Sequence, residues 1–160
     1  MDFKSSGKII FDPLPLSGNA VKMFKPWWAI VMVDGDIDKL YSFFIQQTYG
    51  IRIQRPAWGP HISISRGEEV NKELWEKFKI ELNNKEIEFE YEVDVKTNGA
   101  HHWLRVKCDE LKDLREKLGL QRDGKWGLHL TLGMPIPLHL EHSYCIYREM
   151  LKEQEINEHC

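Results

Sequence analysis

One eight-residue phrase occurs twice in this chain, and nothing else in it constrains the fold as tightly. Trp58-Gly59-Pro60-His61-Ile62-Ser63-Ile64-Ser65 returns as Trp126-Gly127-Leu128-His129-Leu130-Thr131-Leu132-Gly133. Both copies read tryptophan, glycine, any residue, histidine, apolar, hydroxyl, apolar, small. Successive side chains of a β-strand point to opposite faces, so each histidine shares a face with the hydroxyl two residues later. Ile62, Ile64, Leu130 and Leu132 then face a core. Two such strands side by side would gather two imidazoles and two hydroxyls into one groove.

The segments between the phrases supply similar partners. Trp27–Val33 is an apolar run of strand length. After it, Asp34 or Asp36 can cap a helix in which Ile37, Leu40, Tyr41, Phe44 and Ile45 fall at helical spacing, with Gly50 as its stop. Beyond the first phrase, Asn71 caps a second helix with an apolar stripe of Leu74, Trp75, Phe78 and Leu82. Lys85 to Val95 alternates strictly, with Glu86, Glu88, Glu90, Glu92 and Asp94 forming a solvated face. Asn98-Gly99 marks a turn into a strand at His102–Lys107. Asp109 caps a third helix carrying Leu111, Leu114 and Leu118, which ends at Gly119, and Asp123-Gly124 turns into the second phrase.

The expected fold is α+β: two pseudo-symmetric strand-helix-strand lobes with antiparallel sheets around a central groove. Lobe one spans about 27–95 and lobe two about 98–135, within a single domain. Residues 1–26, with Pro13, Pro15, Gly18 and Pro26, read as an irregular arm with a short strand at Lys8–Phe11. A final amphipathic helix is expected over about 138–155.

The chemistry follows from residue types. Histidine titrates near pH 6.5, so one imidazole can accept a proton while another, charged, donates one. The hydroxyls of Ser63 and Thr131 can donate to oxygens on which charge builds up. A formal net charge of -3 over 160 residues argues against a long nucleic acid as the main ligand, because such binders carry a broad basic surface. A small anionic ligand held by a few local cations remains compatible. The three cysteines, Cys108, Cys145 and Cys160, have no paired spacing and read as reduced thiols of a cytosolic protein. No signal-peptide-like or membrane-spanning run is present, so no membrane partner is expected.

Two His-apolar-Ser/Thr-apolar strands about 70 residues apart, each preceded by a strand-helix unit, resemble the two-histidine (2H) phosphoesterase superfamily. Within it the chain is most similar to the phage anti-CBASS phosphodiesterases, with Arg55-Pro56-Ala57-Trp58-Gly59-Pro60-His61 as the supporting phrase. The resemblance implies a 2H phosphoesterase fold and His61, Ser63, His129 and Thr131 as catalytic residues. It also implies cleavage of 3′–5′ links in small cyclic oligonucleotide messengers (cGAMP-like), without metal or other cofactor. Such an enzyme would counter CBASS-type signalling in the cytoplasm, the host's if the chain is phage-encoded. The alternatives are an enzyme of RNA ends, acting on 2′,3′-cyclic phosphates or 2′,5′ links, and a catalytically silent nucleotide sponge.

Substrate contacts are sought next to the phrases. Trp58 and Trp126 precede the two histidine strands, where they can stack a base or pack the strand entrance, and packing is the preferred reading. Arg66 follows the first strand and Lys125 precedes the second. Trp103, Arg105 and Lys107 share one strand face that would line the groove. Tyr144 and Tyr147 are read as core. His101 and His102 are adjacent and on a strand point to opposite faces, and the helical pair His139 and His142 has no third Cys or carboxylate at suggestive spacing, so no metal site is expected.

Overall fold

The computed structural model describes residues 2–14 and 25–136. The expected C-terminal helix lies outside them, as do Pro15, Gly18, His139, His142, Tyr144, Tyr147, Cys145 and Cys160. Eight strands and three helices make up the described part: β1 (Asp2–Phe11), β2 (Ala29–Val33), α1 (Ile37–Tyr49), β3 (Ile53–Gln54), β4 (His61–Ser65), α2 (Lys72–Leu82), β5 (Glu86–Glu92), β6 (Lys96–Thr97), β7 (His102–Lys107), α3 (Asp109–Lys117) and β8 (His129–Pro135). Every pairing is antiparallel, and the fold class is α+β.

The strand order β8-β4-β2-β1-β5-β7 closes on itself through a β7–β8 pair, so six strands form a ring, and the two-residue strands β3 and β6 flank it. The lobes therefore share one closed barrel, with no division into separate sheets. The piece that joins them is β1, which pairs with β2 on one edge and β5 on the other. The short strand expected at Lys8–Phe11 is the end of a longer one, and Asp2–Gly7 is strand where the sequence suggested an irregular arm. Lys4-Ser5-Ser6-Gly7 has little strand character of its own, and its hydrogen-bonding neighbours impose the conformation. Gly7 is required there, because a Cβ would lie 2.7 Å from Val31 Cγ1 and collide with the Met32 carbonyl oxygen.

The main core lies between the ring and the helices. Ile37, Tyr41 and Ile45 of α1, Trp75 of α2, and Leu111 and Leu114 of α3 cluster with Ile9, Phe11, Val31, Ile62, Ile64, Leu104, Leu130 and Leu132 of the strands. Leu40 and Phe44 of α1, expected in its buried stripe, remain exposed. Asn71 caps α2 as expected, its side chain accepting from Leu74 N–H at 3.1 Å. Asp109 is the first residue of α3 and not its cap; Cys108 holds that place without a side-chain capping bond. Arg115 of α3 fastens both halves together. It is 4% exposed, grips the Glu68 carboxylate with two nitrogens at 2.8 and 3.0 Å, and donates to the Ile64 and Gln121 carbonyls.

Helices of nine to thirteen residues cannot fit inside six strands, so they pack outside, and the opposite strand faces line the ring's interior. The registers trace that inner face around the ring. Glu86 and Glu90 lie across from Lys8 and Lys4, and Ile10 and Lys8 across from Ile30 and Met32. Next come His61 and Ser63 across from Met32 and Ile30, then Thr131 across from His61. Trp103 and Arg105 across from Thr131 and His129, and Lys107 across from Glu90, complete the circuit.

Candidate active site

The central strands repeat each other in detail. On β4 and β8, His61 pairs with Thr131 and Ile62 with Leu130, and continuing the register sets Ser63 level with His129. Each histidine therefore faces the other strand's hydroxyl, and the two imidazoles sit on the diagonal of one strand pair, about 7–8 Å apart in Cα terms. The outer neighbours match as well. Ile30, Val31 and Met32 oppose Ser63, Ile62 and His61, as Trp103, Leu104 and Arg105 oppose Thr131, Leu130 and His129. Even the irregularities coincide: a register shift falls between Ala29 and Ile30 and again between His102 and Trp103. A pseudo-twofold axis passes between β4 and β8.

The glycine of each phrase orients the histidine after it. Gly59 and Gly127 both have left-handed backbone, φ 72° and 64°. Each N–H closes a turn onto the residue three before, Pro56 and Gly124, at 2.8 and 2.9 Å. In this conformation the Gly59 carbonyl lies 2.8 Å from His61 Nδ1, and the Gly127 carbonyl 3.0 Å from His129 Nδ1. A carbonyl can only accept, so both Nδ1 atoms carry the proton and donate it. In the neutral rings the lone pair is therefore on Nε2, and among the described residues neither Nε2 has a hydrogen-bond partner. The same tautomer is set twice by the same device.

The two histidines differ in surroundings. His61 is 5% exposed, and burial holds its imidazole below the usual histidine range, partly offset by the Gly59 carbonyl and reinforced by the charges of Arg66 and His129. His129 is half-buried. A tryptophan edge borders each ring: Trp28 lies 6.0 Å from His61 at 75°, Trp103 6.3 Å from His129 at 66°. Trp28 is fully buried, and its Nε1 donates to Ser63 Oγ at 3.4 Å, which leaves the Ser63 hydroxyl proton for a ligand. The role of Trp28 did not emerge from the sequence, although alternation through Trp28, Ile30 and Met32 puts it in phase with the histidine face.

The remaining sequence candidates divide. Trp58 is 3% exposed, donates to the Pro13 carbonyl at 3.1 Å and packs edge-on against Trp28 at 4.6 Å. It packs in a core cluster with Trp28 and Ile30, as the packing reading of its place at the strand entrance expects. Trp126, at the equivalent place, is 77% exposed with Lys125 Nζ 4.9 Å from its ring, so the packing expectation fails there. The reason is local: the position matching Trp28 in the second half is His101, itself exposed, so among the described residues Trp126 finds no aromatic partner. Trp103 and Arg105 line the inner face beside His129. Lys107 instead bonds Asp2 at 2.8 Å. Arg66 Cζ sits 4.5 Å over the Trp28 ring.

His102 is buried with its Nδ1 unpartnered, and desolvation lowers its pKa. Among the described residues, no three or more His, Cys, Asp or Glu side chains gather where they would hold a metal ion. No helix among them is long and apolar enough to cross a membrane. In comparisons with known proteins, the chain matches no family model, no curated protein and no solved structure.

Proposed function

We propose that this protein is a metal-independent phosphodiesterase of the two-histidine type, cleaving 3′–5′ links in small cyclic oligonucleotides. The carrying observation is the duplicated anchor: two histidines on paired strands, each locked by its own glycine carbonyl with Nε2 free, each level with a hydroxyl. That is the equipment for moving two protons across one phosphorus atom.

His61, kept neutral by burial, is the base. Its Nε2 takes the proton of a ribose 2′-hydroxyl, whose oxygen attacks the adjacent phosphorus. His129, entering protonated, gives its Nε2 proton to the departing 5′-oxygen as the P–O bond breaks. The products are a 2′,3′-cyclic phosphate and a free 5′-hydroxyl, and the two imidazoles have exchanged protonation states. Ser63 and Thr131 donate to the non-bridging oxygens as charge accumulates on them. The small ligand class accords with an interior that carries acidic Glu86, Glu88 and Glu90 as well as basic residues. An anti-CBASS role would follow if the accepted messengers are those of such a defence.

The test is to incubate the protein with a panel of cyclic di- and trinucleotides in the presence of chelator and to identify products by mass. Linear products ending in 2′,3′-cyclic phosphate are expected. His61→Ala or His129→Ala should each slow turnover by about 10²–10⁴-fold. Undiminished activity in either variant, or equal cleavage of a 2′-deoxy substrate, would overturn the reading. Tight binding with unchanged nucleotide would make the protein a sponge.

A further inference from the structure

The catalytic quartet obeys the pseudo-twofold axis, but the cations around it do not. The register match sets Met32 against Arg105, and counting onward from the histidines sets Arg66 against Met134. Arg66 is the more elaborately held of the two arginines. Ser65 Oγ before it donates to the Trp27 carbonyl at 2.7 Å, and Gly67 N–H after it donates to the Pro26 carbonyl at 2.8 Å. Both bonds tie the Arg66 backbone to the residues that lead into Trp28. Trp27 itself has a left-handed φ of 52°, rare for so bulky a residue and costing of order 1–3 kcal/mol. The turn sends Trp27 outward against Trp75 and Trp28 inward beside His61.

The result is a guanidinium stacked on a fully buried indole whose Nε1 touches Ser63. Among the described residues no carboxylate pairs with Arg66, nor with Arg52 or Arg105, whereas Arg55 and Arg115 each have one and Arg122 has three. A cation oriented by stacking and left without a counter-ion has its donors available to an anion.

We propose that Arg66 holds the phosphoryl group: its guanidinium, fixed over Trp28, donates to one non-bridging oxygen on the His61–Ser63 side. The inference rests on the phosphodiesterase reading. Because Met134 occupies the matching place in the other half, the phosphate sits off the pseudo-axis. One of its two non-bridging oxygens meets the stacked guanidinium of Arg66, while the other faces the His129 side, where Arg105 has no tryptophan matching Trp28 beneath it. The two oxygens are therefore held differently, and the site distinguishes phosphorus stereochemistry.

The probe is 3′,3′-cyclic GMP-AMP with its Rp and Sp phosphorothioates, cleaved by wild type, Arg66→Met, Arg66→Lys and Trp28→Phe, with folding of each variant checked by thermal unfolding. Arg66→Met should lower kcat/KM by about 10²–10³-fold, as for loss of an oxyanion donor. Arg66→Lys should recover part of this, since it restores charge without the fork. The deciding readout is the ratio of the two diastereomers. Wild type should cut one at least tenfold faster, and Arg66→Met should bring the ratio close to one. A merely structural arginine would slow both diastereomers alike and leave the ratio intact, and that result would overturn the proposal. So would Arg66→Met turnover within twofold of wild type. In both cases His61→Ala and His129→Ala would still be inactive, and the phosphodiesterase reading would stand. Failure of the wild type to cleave any cyclic di- or trinucleotide would instead sink that reading, and this inference with it.

Discussion

Replacing Gly127 by alanine isolates the device that orients His129. At φ 64° a Cβ is disfavoured, yet the space around it is open, with no atom within 4 Å. The penalty is therefore backbone conformation alone, about 1–2 kcal/mol. For a chain of this length that is a Tm decrease of about 2–8 °C, unless the backbone relaxes out of the left-handed region. Relaxation swings the Gly127 carbonyl away from His129 Nδ1, giving up a bond of 3.0 Å worth about 1 kcal/mol net. Nitrogen-15 shifts of the imidazoles read the outcome. In the wild type both His61 and His129 should carry the neutral proton on Nδ1; in Gly127→Ala the His129 ring should drift towards Nε2–H while His61 stays put. Gly99→Ala is the control, since φ is 85° and the surroundings equally open, but no histidine ring depends on that carbonyl. It should cost similar stability and leave both rings unchanged. Wild-type rings protonated on Nε2, or a Gly127→Ala protein unchanged in both Tm and imidazole shifts, would refute the reasoning.

Further outcomes follow from burial and charge. Arg115→Met strands the Glu68 carboxylate and two carbonyls, and should lower urea-unfolding stability by about 3–5 kcal/mol. Burial holds the His61 pKa down, so its contribution is complete above the unfolded value near 6.5 and is lost as pH falls below it. His61→Gln should therefore flatten the fall in stability below pH 6.5, by at most about 1.4 kcal/mol per pH unit, leaving the share due to His102. Gly133→Ala drives a Cβ into the Gln54 carbonyl, so β3 should detach and the Ile136 amide, bonded to the Arg52 carbonyl at 2.9 Å, should exchange faster. Trp58→Ala should cost about 3–5 kcal/mol as a buried aromatic, while Trp126→Ala should shift stability by no more than about 0.5 kcal/mol.

The legible parts of the fold were those with a local signal. The second histidine strand starts at its histidine, β7 runs from His102 to Lys107, and Asn71 caps its helix, because alternation and capping are written within a few residues. Only the Lys8–Phe11 end of β1 was legible, since Lys4-Ser5-Ser6 is a strand only by virtue of partners remote in sequence. The two tryptophans of the phrase look alike in sequence and separate in space, because what buries Trp58 is Trp28 and the Pro13 carbonyl, and neither lies within its own motif. The four residues of the quartet were legible as a set. Their asymmetry was not: the difference between a buried His61 and a half-buried His129 comes from neighbours on β2 and β7.

Closure of the ring has a dynamic consequence. Two lobes joined by a linker would work as a jaw, opening to admit a ligand and shutting to exclude water. Six strands hydrogen-bonded in a circle cannot part without breaking a ladder, so the strands that carry the two histidines keep a fixed spacing. On the proposed phosphodiesterase reading, a ligand would meet a site already formed rather than one assembled by closure. On that reading turnover would have no lobe-closing step to wait for, and the pace would be left to proton transfer and product release.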